Sequence, residues 1–134
     1  MLTVGGGAVN FQGCQSHSAE VDFWIENSDS NLRNLVTVFK EMGYEIEQFP
    51  DAVKAQLQNI SVKFSPADLD LELITKFEIG KSFIEAFEEA VSAEISGNQV
   101  LKWKVLSLDD LLESKRRAAR PKDLLDIQQL KSIN

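Results

Sequence analysis

Glu20-Val21-Asp22-Phe23-Trp24-Ile25 sets Glu20 and Asp22 against Val21, Phe23 and Ile25 with a period of two. That alternation predicts a strand, because successive side chains in extended backbone point to opposite faces of a sheet. Two carboxylates at i and i+2 then share one face, with Cβ atoms roughly 6 to 7 Å apart at about 3.3 Å rise per residue. A hard cation that keeps water and phosphate ligands fits between them. The same spacing also suits a solvated face whose charges discourage edge pairing, so the neighbouring segments decide how the strand is read.

Upstream, Leu2 to Val4 form a short apolar run that enters Gly5-Gly6-Gly7, and Ala8, Val9, Phe11 and Cys14 follow at partly helical spacing. The order predicts strand, tight turn, short helix. Consecutive glycines there either supply a turn with positive φ or let backbone N–H groups approach phosphate oxygens at a helix N-terminus.

Downstream, Ser28 to Asn31 offer N-caps for a helix carrying Leu32, Leu35, Val36, Phe39 and Met42 and stopping at Gly43. Tyr44 to Phe49 reads as a strand leading to Pro50, and Asp51 to Gln58 as a short helix or loop. Ile60, Val62 and Phe64 alternate with polar residues, and beyond Pro66 Leu69, Leu71 and Leu73 oppose Asp68, Asp70 and Glu72. Two adjacent strands are expected, the second offering a third carboxylate to the acidic site. Phe83, Ile84, Phe87, Ala90 and Val91 predict a helix after Gly80, and Val100 to Leu106 a further strand. Ser107 with Asp110 opens a penultimate helix, and Pro121 suits the first turn of a last one. The pattern is α+β: a mixed β-sheet flanked by helices, closing on C-terminal helices, within one domain over residues 1–134.

A formal net charge of −7 argues against a protein that coats nucleic acid, since such binding is driven by excess Lys and Arg. DNA is therefore not an expected partner. No apolar run is long enough to span a membrane, and the lone cysteine, Cys14, fits a reducing cytoplasm. One histidine beside one cysteine cannot build a zinc site of the usual four ligands.

Taken in order, Gly5-Gly6-Gly7-Ala8-Val9, Gly13, Ser16-His17-Ser18 and Glu20-Val21-Asp22 resemble the nucleotidyltransferase superfamily, above all its small bacterial branch of abortive-infection and toxin–antitoxin nucleotidyltransferases. There, a Gly-Gly-x-Ala segment precedes a glycine, an Arg-x-Thr loop and an Asp-x-Asp strand; here thirteen residues separate Gly6 from Glu20. The likeness continues through Asp70 to Thr75, the helix around Phe83 to Phe87, Leu106 to Lys115, Arg120-Pro-Lys-Asp123 and Asp126, nearly the whole chain.

The resemblance implies a nucleotidyltransferase fold. It implies transfer of a nucleotidyl group from a nucleoside triphosphate to a hydroxyl of a protein or RNA, with Mg²⁺ or Mn²⁺ as cofactor. Glu20, Asp22 and Glu72 would hold the metal and act in catalysis, while Gly5, Gly6, Ser16, Ser18 and Lys115 would bind the nucleotide. Glu72 is preferred to Asp70 because Glu72-Leu-Ile-Thr75 best matches the family's acidic strand. The alternative is a catalytically degenerate module of a toxin–antitoxin system that binds a nucleotide or a partner.

Three departures stand out. Glu20 replaces the family's first Asp and extends its carboxylate by a methylene. Ser16 occupies the arginine position with neither its charge nor its reach. The helix that relatives place before the first strand is not in the sequence; a partner protein, a homodimer contact or a misassigned start codon would each explain that.

Lys115, Arg116, Arg117, Arg120 and Lys122 concentrate positive charge near a helix end. There it complements the dipole, or, through Lys115 or Lys122, reaches a triphosphate or an RNA acceptor. His17 reads as a loop residue, and Cys14, Trp24 and Trp103 as packing residues.

Overall fold

A computed structural model describes residues 1–4, 8, 20–64, 69–95, 97 and 101–133. Within these the elements run β1 (Leu2–Val4), β2 (Glu20–Trp24), α1 (Asp29–Glu41), α2 (Asp51–Lys54), β3 (Ile60–Phe64), β4 (Leu69–Ile74), α3 (Phe83–Glu89), β5 (Val91–Ile95), β6 (Leu101–Val105), α4 (Leu108–Ala118) and α5 (Pro121–Ile133). The six strands form one sheet in the order β3-β4-β2-β1-β6-β5. The β2–β4 and β1–β6 pairs are parallel and the other three antiparallel, so the sheet is mixed and the fold α+β.

Strand alternation sends apolar side chains to both faces, and each face carries its own core. On one, Ile25, Val62 and Leu73 pack with Leu32, Leu35 and Phe39 of α1, Val53 of α2 and Phe49; Phe23 and Leu71 join them. On the other, Leu2, Val4 and Trp24 meet Leu111 and Leu112 of α4 and Leu130 of α5, with Ile74 packed alongside. Trp24 lies edge-on to Phe83 at 5.3 Å between ring centroids. Asp22 precedes Trp24 by two residues and Glu72 precedes Ile74 by two, which puts both carboxylates on the face of α4 and α5.

Helix α1 begins where Ser28 Oγ accepts the Asn31 N–H and is followed by a reversal at Gly43, whose φ of +96° a side chain would strain. The chain then does not form the strand expected over Tyr44 to Phe49. The Tyr44 N–H donates to the Phe39 carbonyl, which folds the segment back against α1. Ile46 and Phe49 pack into the core as side chains, without backbone pairing along a strand.

The helix expected through Val91 stops at Glu89. Ala90 turns extended, at φ −68° and ψ 152°, and Val91–Ile95 becomes β5, pairing with β6. Ala90 and Val91 continue the helical spacing of Phe83 and Phe87, and no Gly or Pro marks the break, so periodicity alone carries the helix too far. Ser107 caps α4 by accepting the Asp110 N–H, and Pro121 opens α5, as their sequence signals imply. Lys81 pairs with Glu89 and, at 2.9 Å, with buried Asp110, tying the α3 region to α4. Among the described residues no helix is long and apolar enough to cross a membrane.

Candidate functional site

The parallel pairing of β2 with β4 assembles the acidic face. Its register sets Glu20 beside Asp70 and Asp22 beside Glu72. Neighbouring strands lie about 4.8 Å apart and paired residues project to the same side, so carboxylates distant in sequence become lateral neighbours. Asp22 and Glu72 are half-buried and Asp70 is exposed. The Glu20 backbone belongs to β2, while its side chain lies outside the described residues.

Glu72 is also held from the far side. Ser61 on β3 pairs with it in the antiparallel register, and Ser61 Oγ donates to Glu72 Oε2 over 2.6 Å. That bond fixes one carboxylate oxygen and leaves Oε1 outside it, an arrangement suited to a metal ligand with an oriented outer shell. Ser61 was visible in the sequence only as one polar residue in an alternating strand. No carboxylate-orienting role was legible before the register was known.

At the opposite end of the face, β1 finishes at Val4, paired with Asp22. Gly5, Gly6, Ser16 and Ser18, with Gly7, Cys14, His17 and Asp68, lie outside the described residues.

Lys115 is placed differently from a solvated phosphate-binding lysine. It is buried, with Nζ 3.3 Å from Asp123 Oδ1 and 3.2 Å from Asp126 Oδ2. Asp123 is fully buried and in turn grips Arg120: Nε donates to Oδ2 at 2.7 Å, Nη2 to Oδ1 at 3.3 Å, and the Arg120 backbone N–H to Oδ2 at 3.2 Å. Burial pushes the Asp123 carboxyl up. The side-chain hydrogen bond from Arg120, the Lys115 charge and the Arg120 backbone N–H outweigh burial and hold it below the ordinary carboxylate value.

Arg120 is held above its ordinary value, first by the hydrogen bond to Asp123 and then by the charges of Asp123, Asp22 and Asp126. Arg116 and Arg117 instead bond Glu113 along the outer side of α4. The basic cluster of the sequence therefore divides into a buried lysine, an exposed arginine tethered by Asp123, two arginines paired with Glu113, and the exposed Lys122. The spacing of Arg120, Asp123 and Asp126 at i, i+3 and i+6 was the available signal.

A divalent cation suits the donor set, since adjacent carboxylate oxygens are the hard ligands Mg²⁺ and Mn²⁺ prefer. Among the described residues no group of three or more His, Cys, Asp or Glu side chains is arranged to cage a metal. The register leaves Asp22 and Glu72 as neighbouring carboxylates, and two is the number with which Mg²⁺ commonly binds alongside water and substrate phosphate. A cavity of about 540 Å³ lined by Asp29, Arg33, Thr37, Glu47 and Lys54 adjoins α1 and shares no residue with this pair. Comparisons with protein-family models, curated proteins and solved structures return no match.

Proposed function

We propose that the chain has a nucleotidyltransferase fold and transfers a nucleotidyl group from a nucleoside triphosphate to a hydroxyl of a protein or RNA, in the cytoplasm. The observation that carries this reading is the β2–β4 register, which sets Asp22 beside Glu72 on one sheet face. The glycine run after β1 and the acidic alternation of β2 add the sequence support.

In this reading Asp22 and Glu72, with Glu20, hold Mg²⁺ or Mn²⁺. The ion, when bound, supplies charge neutralisation for the phosphates and acidity for the acceptor hydroxyl. Ser61 keeps Glu72 oriented through its hydrogen bond. The acceptor oxygen forms a bond to the α-phosphorus, the bond from that phosphorus to the bridging oxygen breaks, and pyrophosphate leaves. A carboxylate of the acidic face takes the hydroxyl proton.

The test supplies labelled triphosphates with Mg²⁺ or Mn²⁺ and candidate protein and RNA acceptors. Transfer should occur and should fall at least 100-fold in Asp22→Ala and Glu72→Ala, the size of loss typical for a preorganised charge-stabilising group. Nucleotide binding with no transfer to any acceptor would replace this reading with the catalytically degenerate module. Absence of both metal and nucleotide binding would reject the two together.

A further inference from the structure

Arg33 of α1 and Lys54 at the end of α2 line one cavity, and neither makes an ion pair among the described residues. Two carboxylates share the lining without neutralising them. Glu47 is taken at 3.1 Å by Lys40, which lies outside the lining. Asp29 stands at i−4 to Arg33, the spacing of a helical ion pair, yet no pair forms. Its place in the first turn of α1 has its own cause, since the helix dipole favours an acid there.

The fold holds the cavity open between two anchored walls. Leu32 and Phe49, both 4% exposed, form its floor with Val36. Arg33 and Thr37 rise on one side from α1, and Lys54 on the other from α2. Leu32, Phe49 and Val53, the neighbour of Lys54, belong to a single core, so both walls rest on the same packing. Asn27 Nδ2 donates to the Lys54 carbonyl at 2.9 Å and joins the end of α2 to the turn before α1. The volume of about 540 Å³ falls within the roughly 300 to 1,000 Å³ of small-molecule sites, which combine apolar surface with a few orienting polar groups.

We propose that this cavity binds a small organic acid, a molecule with one carboxylate or phosphate-ester head and an apolar body, on the sheet face opposite Asp22 and Glu72. Arg33 and Lys54 receive the head, the arginine as a planar fork of N–H donors and the lysine as a point charge. The body covers the apolar floor and removes it from water. Asp29 and Glu47 set the upper limit on ligand charge, because a polyphosphate would bring further negative groups against them. The site uses none of the residues assigned to metal or nucleotide, so it stands or falls apart from the transfer reaction.

The test titrates the nitrogen-15-labelled whole chain with benzoate and with phenyl phosphate, following amide shifts by NMR. Benzyl alcohol, a body without charge, and inorganic phosphate, a charge without a body, are the controls. Shifts should centre on residues 29–37 and 47–54, and one acid should bind about 10-fold more tightly than either control, the tighter acid naming the head. Arg33→Gln and Lys54→Gln should each weaken that acid about 10-fold and leave benzyl alcohol unchanged, as expected for losing one charge-assisted contact. Both side chains are exposed, so the fold should be retained. Thr37→Trp, which adds bulk to the lining from an exposed position, should abolish binding of the acid.

Acids that bind no better than the controls would overturn the proposal. So would affinities equal in wild type and in both glutamine variants, or shifts centred on another surface. Acid binding that survives Thr37→Trp would likewise remove the cavity as its site.

Discussion

Ser61 and Glu72 face each other across the β3–β4 pair, and the serine hydroxyl donates to Oε2 at 2.6 Å. The bond holds one oxygen of a carboxylate whose other neighbour is Asp22, one strand further into the sheet.

Ser61→Ala should therefore lower Mn²⁺ affinity about 10-fold, at the lower end of the range for losing an outer-shell partner of a metal ligand. Ser61 is exposed, so the fold should be retained. Calorimetric titration beside a thermal melt separates the two effects. Unchanged Mn²⁺ affinity with an unchanged melt would show that Ser61 does not position a ligand.

The Lys115–Asp123 pair has side-chain exposures of 8% and 0%, whereas the Glu113 pairs with Arg116 and Arg117 are open to solvent. Breaking a buried pair strands an uncompensated charge at a cost of about 3 to 5 kcal/mol, while exposed pairs contribute under about 1 kcal/mol. Lys115→Met should approach the first figure, moderated by the remaining hold of Arg120 on Asp123, and Glu113→Ala should stay within the second. Urea unfolding of both variants checks this, and equal losses would contradict the burial argument.

Acid should weaken the same anchor. The folded Asp123 carboxyl is held below its ordinary value, which is near 3.9 in an unfolded chain. A group depressed on folding contributes fully above its unfolded value and loses that contribution as pH falls through the folded one. Wild type should thus lose stability below about pH 4 more steeply than Asp123→Asn, which cannot release this proton linkage. Urea midpoints measured between pH 6 and pH 2.5 give the two slopes, and parallel slopes would exclude Asp123 as a contributor to acid sensitivity.

The sequence made several parts of this arrangement readable because they depend on local rules. Ser28 with the Leu32, Leu35 and Phe39 stripe marks α1, Ser107 marks α4, and Pro121 marks α5. The Glu20 to Ile25 alternation marks β2. The partnership of Asp22 with Glu72 was an expectation drawn from a family likeness, because no single-sequence rule fixes which strand lies beside β2. The β5 strand was hidden for a related reason. Val91 fits a helical stripe as well as it fits pairing with Val105, and only the tertiary partner separates the two. Arg120 was read in a basic cluster and, with Asp123, in the family likeness, and their division into a tethered cation and a buried anchor required the α4–α5 turn.

That turn contains a removable strain. Ala119 ends α4 at φ 52° and ψ 24°, a left-handed conformation in which Cβ crowds the following carbonyl. Alanine there costs about 1 kcal/mol relative to glycine, the residue helices commonly use at this position. Ala119→Gly should stabilise the protein by about 0.5 to 1 kcal/mol, part of the relief being offset by the greater freedom of glycine in the unfolded chain.

Gly80 provides the converse case, with φ +78° and space for a Cβ limited by Arg117 Nη2 at 3.0 Å. Gly80→Ala should be destabilising by about 1 kcal/mol or more, because backbone strain adds to displacement of that arginine. Urea unfolding of the two single variants should give shifts of opposite sign. A destabilised Ala119→Gly would mean that the turn needs the alanine side chain more than it needs relief from the left-handed backbone.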